Sequence, residues 1–182
     1  MRPDTGRNSK MDVVFESDNI RFVKVTMELI PEYLEMVNDI DHVARFISDR
    51  RDIYTEDEER EYVQERIDNQ AMMYSMLEKS TGDFIGNIEF FNRREDQAEL
   101  GIAITAKMQD KGYGKEAIRS IVDYGFKEAG LKRITLSVFA DNQRAVHVYE
   151  QCGFREYDRT DVDRFMEIAG DSERQETDKM GS

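Results

Sequence analysis

Between Ile104 and Ile118 the hydrophobic period of this chain changes, and that change constrains its fold more than any other feature. Upstream, apolar residues alternate in short runs. Met72 to Glu78, Asp83 to Phe91 and Ala98 to Ile104 read as three strands, the first two joined by the turn Ser80-Thr81-Gly82-Asp83. Connections this short predict an antiparallel meander. Downstream, Ile118, Ile121, Val122, Gly125, Phe126 and Ala129 fall on one face of a helix, which Gly130 ends as a C-terminal cap.

The remaining segments fit around this centre. Ile20 to Thr26 alternates as a first strand, and Pro31 opens a helix with Ile30, Leu34 and Val37 on one face. Thr55 and Glu58 have the spacing of a capping box, and the acidic run that follows suits the start of a helix. Arg133 to Phe139 reads as a strand. Ala145, Val148, Tyr149 and Cys152 mark a last helix closed by Gly153, and Phe154 to Arg159 with Arg164 to Ile168 form a closing hairpin. The resulting order is β-α-α-β-β-β-α-β-α-β-β, an α/β mixed sheet. Residues 1–19 are expected to be a flexible leader, 20–169 the folded domain and 170–182 a disordered tail.

Composition narrows the function. The formal net charge of −13 disfavours nucleic acid and anionic membranes, and it favours a cationic partner. Surface acidity is, however, more often a matter of solubility alone. Cys152 is the single cysteine, so an intramolecular disulfide is excluded; with only His42 and His147 beside it, no metal site is expected. No long apolar run and no apolar segment in residues 1–10 leave a cytoplasmic protein as the expectation.

Chemistry concentrates in Gln109-Asp110-Lys111-Gly112-Tyr113-Gly114-Lys115, between a strand and the long helix. Paired glycines let a backbone approach a ligand, and a helix start adds partial positive charge, so the segment reads as a cradle for a pyrophosphate. Gly112-x-Gly114-x-x-Ala117 formally fits the dinucleotide fingerprint, yet it lies seven residues past Ile104 and behind three hairpin-linked strands. A P-loop fails, because Glu116 stands where Ser or Thr is required.

Gln109-x-x-Gly112-x-Gly114 resembles the acetyl-CoA signature of the GCN5-related N-acetyltransferase (GNAT) superfamily. Asn142, Ala145, Tyr149 and Cys152-Gly153-Phe154 resemble a second segment of the same family, in the expected order and separation. Glu99 and the hairpin pattern lean toward the ribosomal-protein and spermidine N-acetyltransferase branch. The resemblance implies a GNAT fold, a mixed and mainly antiparallel sheet flanked by helices, and direct transfer of acetyl from acetyl-CoA to a primary amine.

It also implies roles for particular residues. The backbone of Ile102, Ala103 and Ile104 would pair with the pantetheine arm and polarise the thioester carbonyl. Gln109, Lys111, Gly112, Tyr113, Gly114 and Lys115 would bind the pyrophosphate, and Asn142 the pantetheine, unless Asn142 serves only as a helix cap. Tyr149 would protonate the departing thiolate, or else it is an ordinary core aromatic. Glu99 is the candidate general base, with Glu89 in reserve. The acceptor would be a small-molecule or peptide amine, a polyamine or a protein N-terminus, and a homo-oligomer stays open. A non-catalytic acyl-CoA-binding domain and an aminoglycoside acetyltransferase are the alternatives.

Overall fold

In the computed structural model, which describes residues 11–47 and 52–171, the alternating runs form the strands expected of them. The elements run β1 (Val13–Glu16), β2 (Ile20–Lys24), α1 (Ile30–Val37), a π-helical turn (Ile40–Ala44), the short α2 (Arg45–Ile47) and α3 (Glu56–Asp68). Then come β3 (Met72–Glu78), β4 (Phe84–Arg94), β5 (Gln97–Ile104), α4 (Tyr113–Lys127), β6 (Arg133–Phe139), α5 (Gln143–Gln151), β7 (Arg155–Arg159) and β8 (Asp163–Ala169). The eight strands form one sheet in the order β1-β2-β3-β4-β5-β6-β8-β7. It is mixed: β1, β2 and β3 pair antiparallel, β5 pairs β6 in parallel, and β6 pairs β8 antiparallel.

Strand β1 corrects the expected leader. Val13–Glu16 is too short, and too closely flanked by Asp12 and Asp18, to show a clear alternation. Its partner defines it: Phe15 stacks on Phe22 of β2 with ring centroids 4.1 Å apart. At the other end, Gly170, the first residue of the expected tail, is buried, and its N–H donates to the Lys132 carbonyl at 2.8 Å. The rest of the expected tail from residue 172, and residues 1–10 of the leader, lie outside the described residues.

The chain falls into two compact units. One runs to Glu89 and includes Ile102–Ala117; the other comprises Phe90–Gly101 and the chain from Ile118. In the first, α1 and α3 bury Ile30, Tyr33, Met36 and Val63 with Val23, Leu77 and Phe84 of the sheet. Thr55 caps α3 with the full reciprocal box, accepting from the Glu58 N–H while the Glu58 carboxylate accepts from the Thr55 N–H. In the second unit, Ile121, Ile134, Leu136, Met166 and Phe154 are buried. Gly125 admits the ring of Phe90 there, since a Cβ at that position would lie 2.9 Å from Cζ of Phe90.

Candidate active site

Past β5 the chain is bent by its backbone rather than by its side chains. Thr105 donates its N–H to the Ile85 carbonyl at 2.9 Å, and a 3₁₀ turn at Ala106–Met108 leads to an extended Gln109. Asp110 (φ 60°) and Gly112 (φ 86°) then occupy the left-handed region, and α4 starts at Tyr113. Left-handed residues just ahead of a helix turn neighbouring N–H groups to one side, the geometry of an anion-binding nest. The N–H groups of Tyr113 and Gly114, at the helix start, have no carbonyl one turn back within the helix to receive them.

The two loop glycines answer different demands. A Cβ on Gly112 would meet nothing within 4 Å, so backbone angle alone calls for glycine there. Gly114 is helical, and its Cβ would come 3.3 Å from Cδ1 of Ile104. The Gln109 side chain braces the loop, donating to the Ile104 carbonyl at 2.9 Å and the His42 carbonyl at 3.2 Å. Lys111 is exposed, with its ammonium 3.9 Å from the Met108 sulfur.

Sequence reasoning missed Gly86, on β4 beside the candidate pantetheine strand. A Cβ there would overlap the Ala103 carbonyl oxygen and crowd Cα of Ile104, so the two backbones approach as only glycine permits. A lone glycine inside an alternating strand was the available signal. The parallel ladder of β5 with β6 comprises Gln97–Glu99 against Arg133–Thr135, and Ile102–Ile104 lie past its end.

The two candidate bases stand in different surroundings. Glu99 is half-buried and accepts from Nδ2 of Asn92 at 3.2 Å. Burial pushes the Glu89 carboxyl above its ordinary 4.5, and the Arg66 guanidinium offsets that only in part. Arg66 itself lies over the Tyr62 ring, its Cζ 4.6 Å from the centroid.

Tyr149 on α5 is 8% exposed and packs edge-on against Phe154 at 5.8 Å. Burial, with a smaller contribution from Cys152, pushes its phenol up to about 12. No hydrogen bond reaches its hydroxyl from the described residues, although a buried phenol ordinarily finds a partner. Asn142 is the N-cap of α5, its Oδ1 accepting from the Ala145 N–H at 3.2 Å. His147, expected to face solvent, is exposed.

The first unit thus holds Ile102, Ala103, Ile104, Gln109, Lys111, Gly112, Tyr113, Gly114 and Lys115, together with Glu89. The second holds Glu99, Asn142 and Tyr149. Among the described residues no cluster of His, Cys, Asp or Glu could hold a metal ion, and no helix is long and apolar enough to cross a membrane.

Residues 19–155 match the model of the acetyltransferase (GNAT) domain. The spermidine N(1)-acetyltransferase of Vibrio cholerae serotype O1 is 34% identical over 102 residues, 55% of this chain and 59% of that protein. The chain therefore spans well under two thirds of that relative. A crystal structure of the Vibrio cholerae spermidine N-acetyltransferase in complex with CoA and spermine superposes with a TM-score of 0.75 at 23% identity, covering 84% of this chain and 96% of that one. A dodecameric structure of that enzyme gives a TM-score of 0.70 at 23% identity, covering 84% and 95%. At such identity the structures establish the shared fold.

Proposed function

The chain belongs to the acetyltransferase (GNAT) domain family, and on that premise we propose that it transfers acetyl from acetyl-CoA to a primary amine, a cationic one of the polyamine class. The observation that carries the proposal is the backbone anion nest at Asp110–Gly114, where two left-handed residues lead into the start of α4. An activated thioester on a long phosphorylated handle is what acetyl-CoA supplies.

The residues present fit such a group. The nest and the start of α4 hold negatively charged oxygens through main-chain N–H groups, with Lys111 and Lys115 adding charge. Ile102–Ile104 offer backbone beyond the β6 ladder, and an N–H there polarises a carbonyl. Asn142 spends Oδ1 on its cap, which leaves its amide nitrogen outside that bond as a donor. Tyr149 supplies a proton to the leaving sulfur. A carboxylate removes the proton of the attacking ammonium; Glu99 is the candidate read from sequence, but the burial of Glu89 makes it the better matched base, since a base works best with its pKa nearer the operating pH.

The relative named a spermidine N(1)-acetyltransferase supports a polyamine acceptor, and the dodecameric neighbour supports a homo-oligomer. Thiol release from acetyl-CoA, measured with spermidine, a peptide bearing a free α-amine and an aminoglycoside, tests the proposal. Turnover greatest with spermidine is expected. Tight CoA binding with no turnover on any amine would leave the chain an acyl-CoA-binding domain.

A further inference from the structure

Glu116 lies in the first turn of α4, two residues beyond Gly114. A carboxylate this close to an anion cradle repels the ligand unless it is engaged elsewhere. Here it is. Oε1 accepts from Oγ of Ser17 at 2.5 Å and from the Asn19 N–H at 2.7 Å, while Oε2 accepts from Nδ2 of Asn19 at 3.0 Å. Burial raises the carboxyl, but these hydrogen bonds outweigh it and hold the group below its ordinary 4.5. Ser17 and Asn19 form the turn between β1 and β2, nearly a hundred positions away in sequence.

That turn is itself fixed. Ser17 donates its N–H to the Ile20 carbonyl at 2.9 Å, and Lys79 donates its N–H to the Asn19 carbonyl at 2.9 Å. The Lys79 ammonium reaches the Ser17 carbonyl at 3.1 Å. A second strut stands at the first residue of the helix: the Tyr113 hydroxyl donates to Oε1 of Glu78 at 2.7 Å, and Thr81 donates to Oε2 at 2.7 Å. The start of α4 is therefore joined to two turns of the sheet, at β1–β2 and at β3–β4. All of these residues belong to one compact unit.

The cradle needs such bracing. Its N–H groups are useful only while they converge on one point, because hydrogen bonds weaken steeply as their angle departs from linear. Asp110 stands at φ 60°, a left-handed conformation that costs any residue but glycine some energy, so the loop gains from a fixed frame around it.

We infer that Glu116, held by Ser17 and Asn19, is a positioning residue that fixes the first turn of α4 so that the loop N–H groups converge on the cofactor's pyrophosphate. The inference rests on the acetyl-CoA reading above. Glu116 touches no part of the cofactor in this account and acts through the helix it aims.

The test compares two acetyl donors on the full chain: acetyl-CoA, and S-acetylpantetheine, which lacks the pyrophosphate. Glu116→Ala should lower kcat/KM for acetyl-CoA, and the affinity for CoA in calorimetry, by about tenfold, the scale of one charge-assisted hydrogen bond. With S-acetylpantetheine it should stay within about twofold of the parent, roughly the ±0.5 kcal/mol of a neutral surface change. Glu116→Gln, whose amide oxygen can still accept from Ser17 and Asn19, should recover much of the loss. Asn19→Ala should show a smaller loss with the same donor preference. If Glu116→Ala melts below the assay temperature, the Gln and Asn19→Ala variants carry the comparison. Equal losses with both donors, or no loss with either, overturn the inference. A parent protein that binds no CoA would instead overturn the cofactor reading on which it stands.

Discussion

Two roles were open to Tyr149 from its sequence position, core aromatic and proton donor, and they make different predictions. It lies on the apolar side of α5, as a core aromatic would, yet its hydroxyl is left without a partner among the described residues. Tyr149→Phe keeps the packing and removes the proton, so turnover should fall about 10²-fold with the KM for acetyl-CoA little changed. A fall below threefold, about 0.6 kcal/mol, would leave packing as its whole role. Because burial holds the phenol protonated up to about 12, rates should show no alkaline limb from this group below pH ~10. The acidic side belongs to the base. With Glu89 as the proposed base, which must be unprotonated to act, kcat/KM should fall as pH drops through its raised pKa, above the ordinary 4.5. Glu89→Gln should remove that limb and Glu99→Gln should not; the opposite result assigns the base to Glu99. Gly86→Ala drives a methyl group into the Ala103 carbonyl with no rotamer to relieve it. A loss of about 1–3 kcal/mol in denaturant stability is expected, with weaker CoA binding, and unchanged stability would mean that β4 and β5 separate freely.

Elements read well from sequence where local chemistry decides them. The α3 start is one: Thr55→Ala should cost about 1 kcal/mol in urea unfolding, and no change would mean the box is redundant. Strands β3 to β6 and helices α4 and α5 follow their periods to within a few residues at each end. The glycine loop was legible because its angles require specific residues, Gly112 above all. What escaped was set by tertiary partners. β1 exists through Phe22, and the π-helical turn at Ile40–Ala44 carries no periodic signal of its own, being capped by the Asp39 side chain. Val146, outside the expected stripe of Ala145, Val148, Tyr149 and Cys152, is one of the two buried residues of α5 with Tyr149. Likewise the brace on Glu116 joins residues too far apart in sequence for any spacing rule to connect them.

Charge acts on the scale of the whole molecule, and the structure moves it there. The run Glu56-Asp57-Glu58-Glu59 invites a reading as a local patch for a polycation. Three of its members have other employment: Glu56 pairs with Arg60 at 2.7 Å, Glu58 closes the capping box, and Glu59 is only 5% exposed. Asp57 remains exposed on the run. A polyamine acceptor would thus be drawn mainly by the net charge of −13 spread over the chain. Such attraction is screened over about 8 Å at physiological salt, so the KM for spermidine should rise several-fold from low to physiological ionic strength. The KM for acetyl-CoA, which in the proposed site is held largely by fixed main-chain N–H groups, should move less. Asp57→Lys should raise the spermidine KM only modestly, because one charge among many is changed. Glu59→Lys is no test of the field, since it would force a cation into the core beneath α3. A spermidine KM indifferent to salt, or acetylation of a peptide α-amine in preference to spermidine, would refute the polyamine assignment while leaving acetyl transfer itself intact.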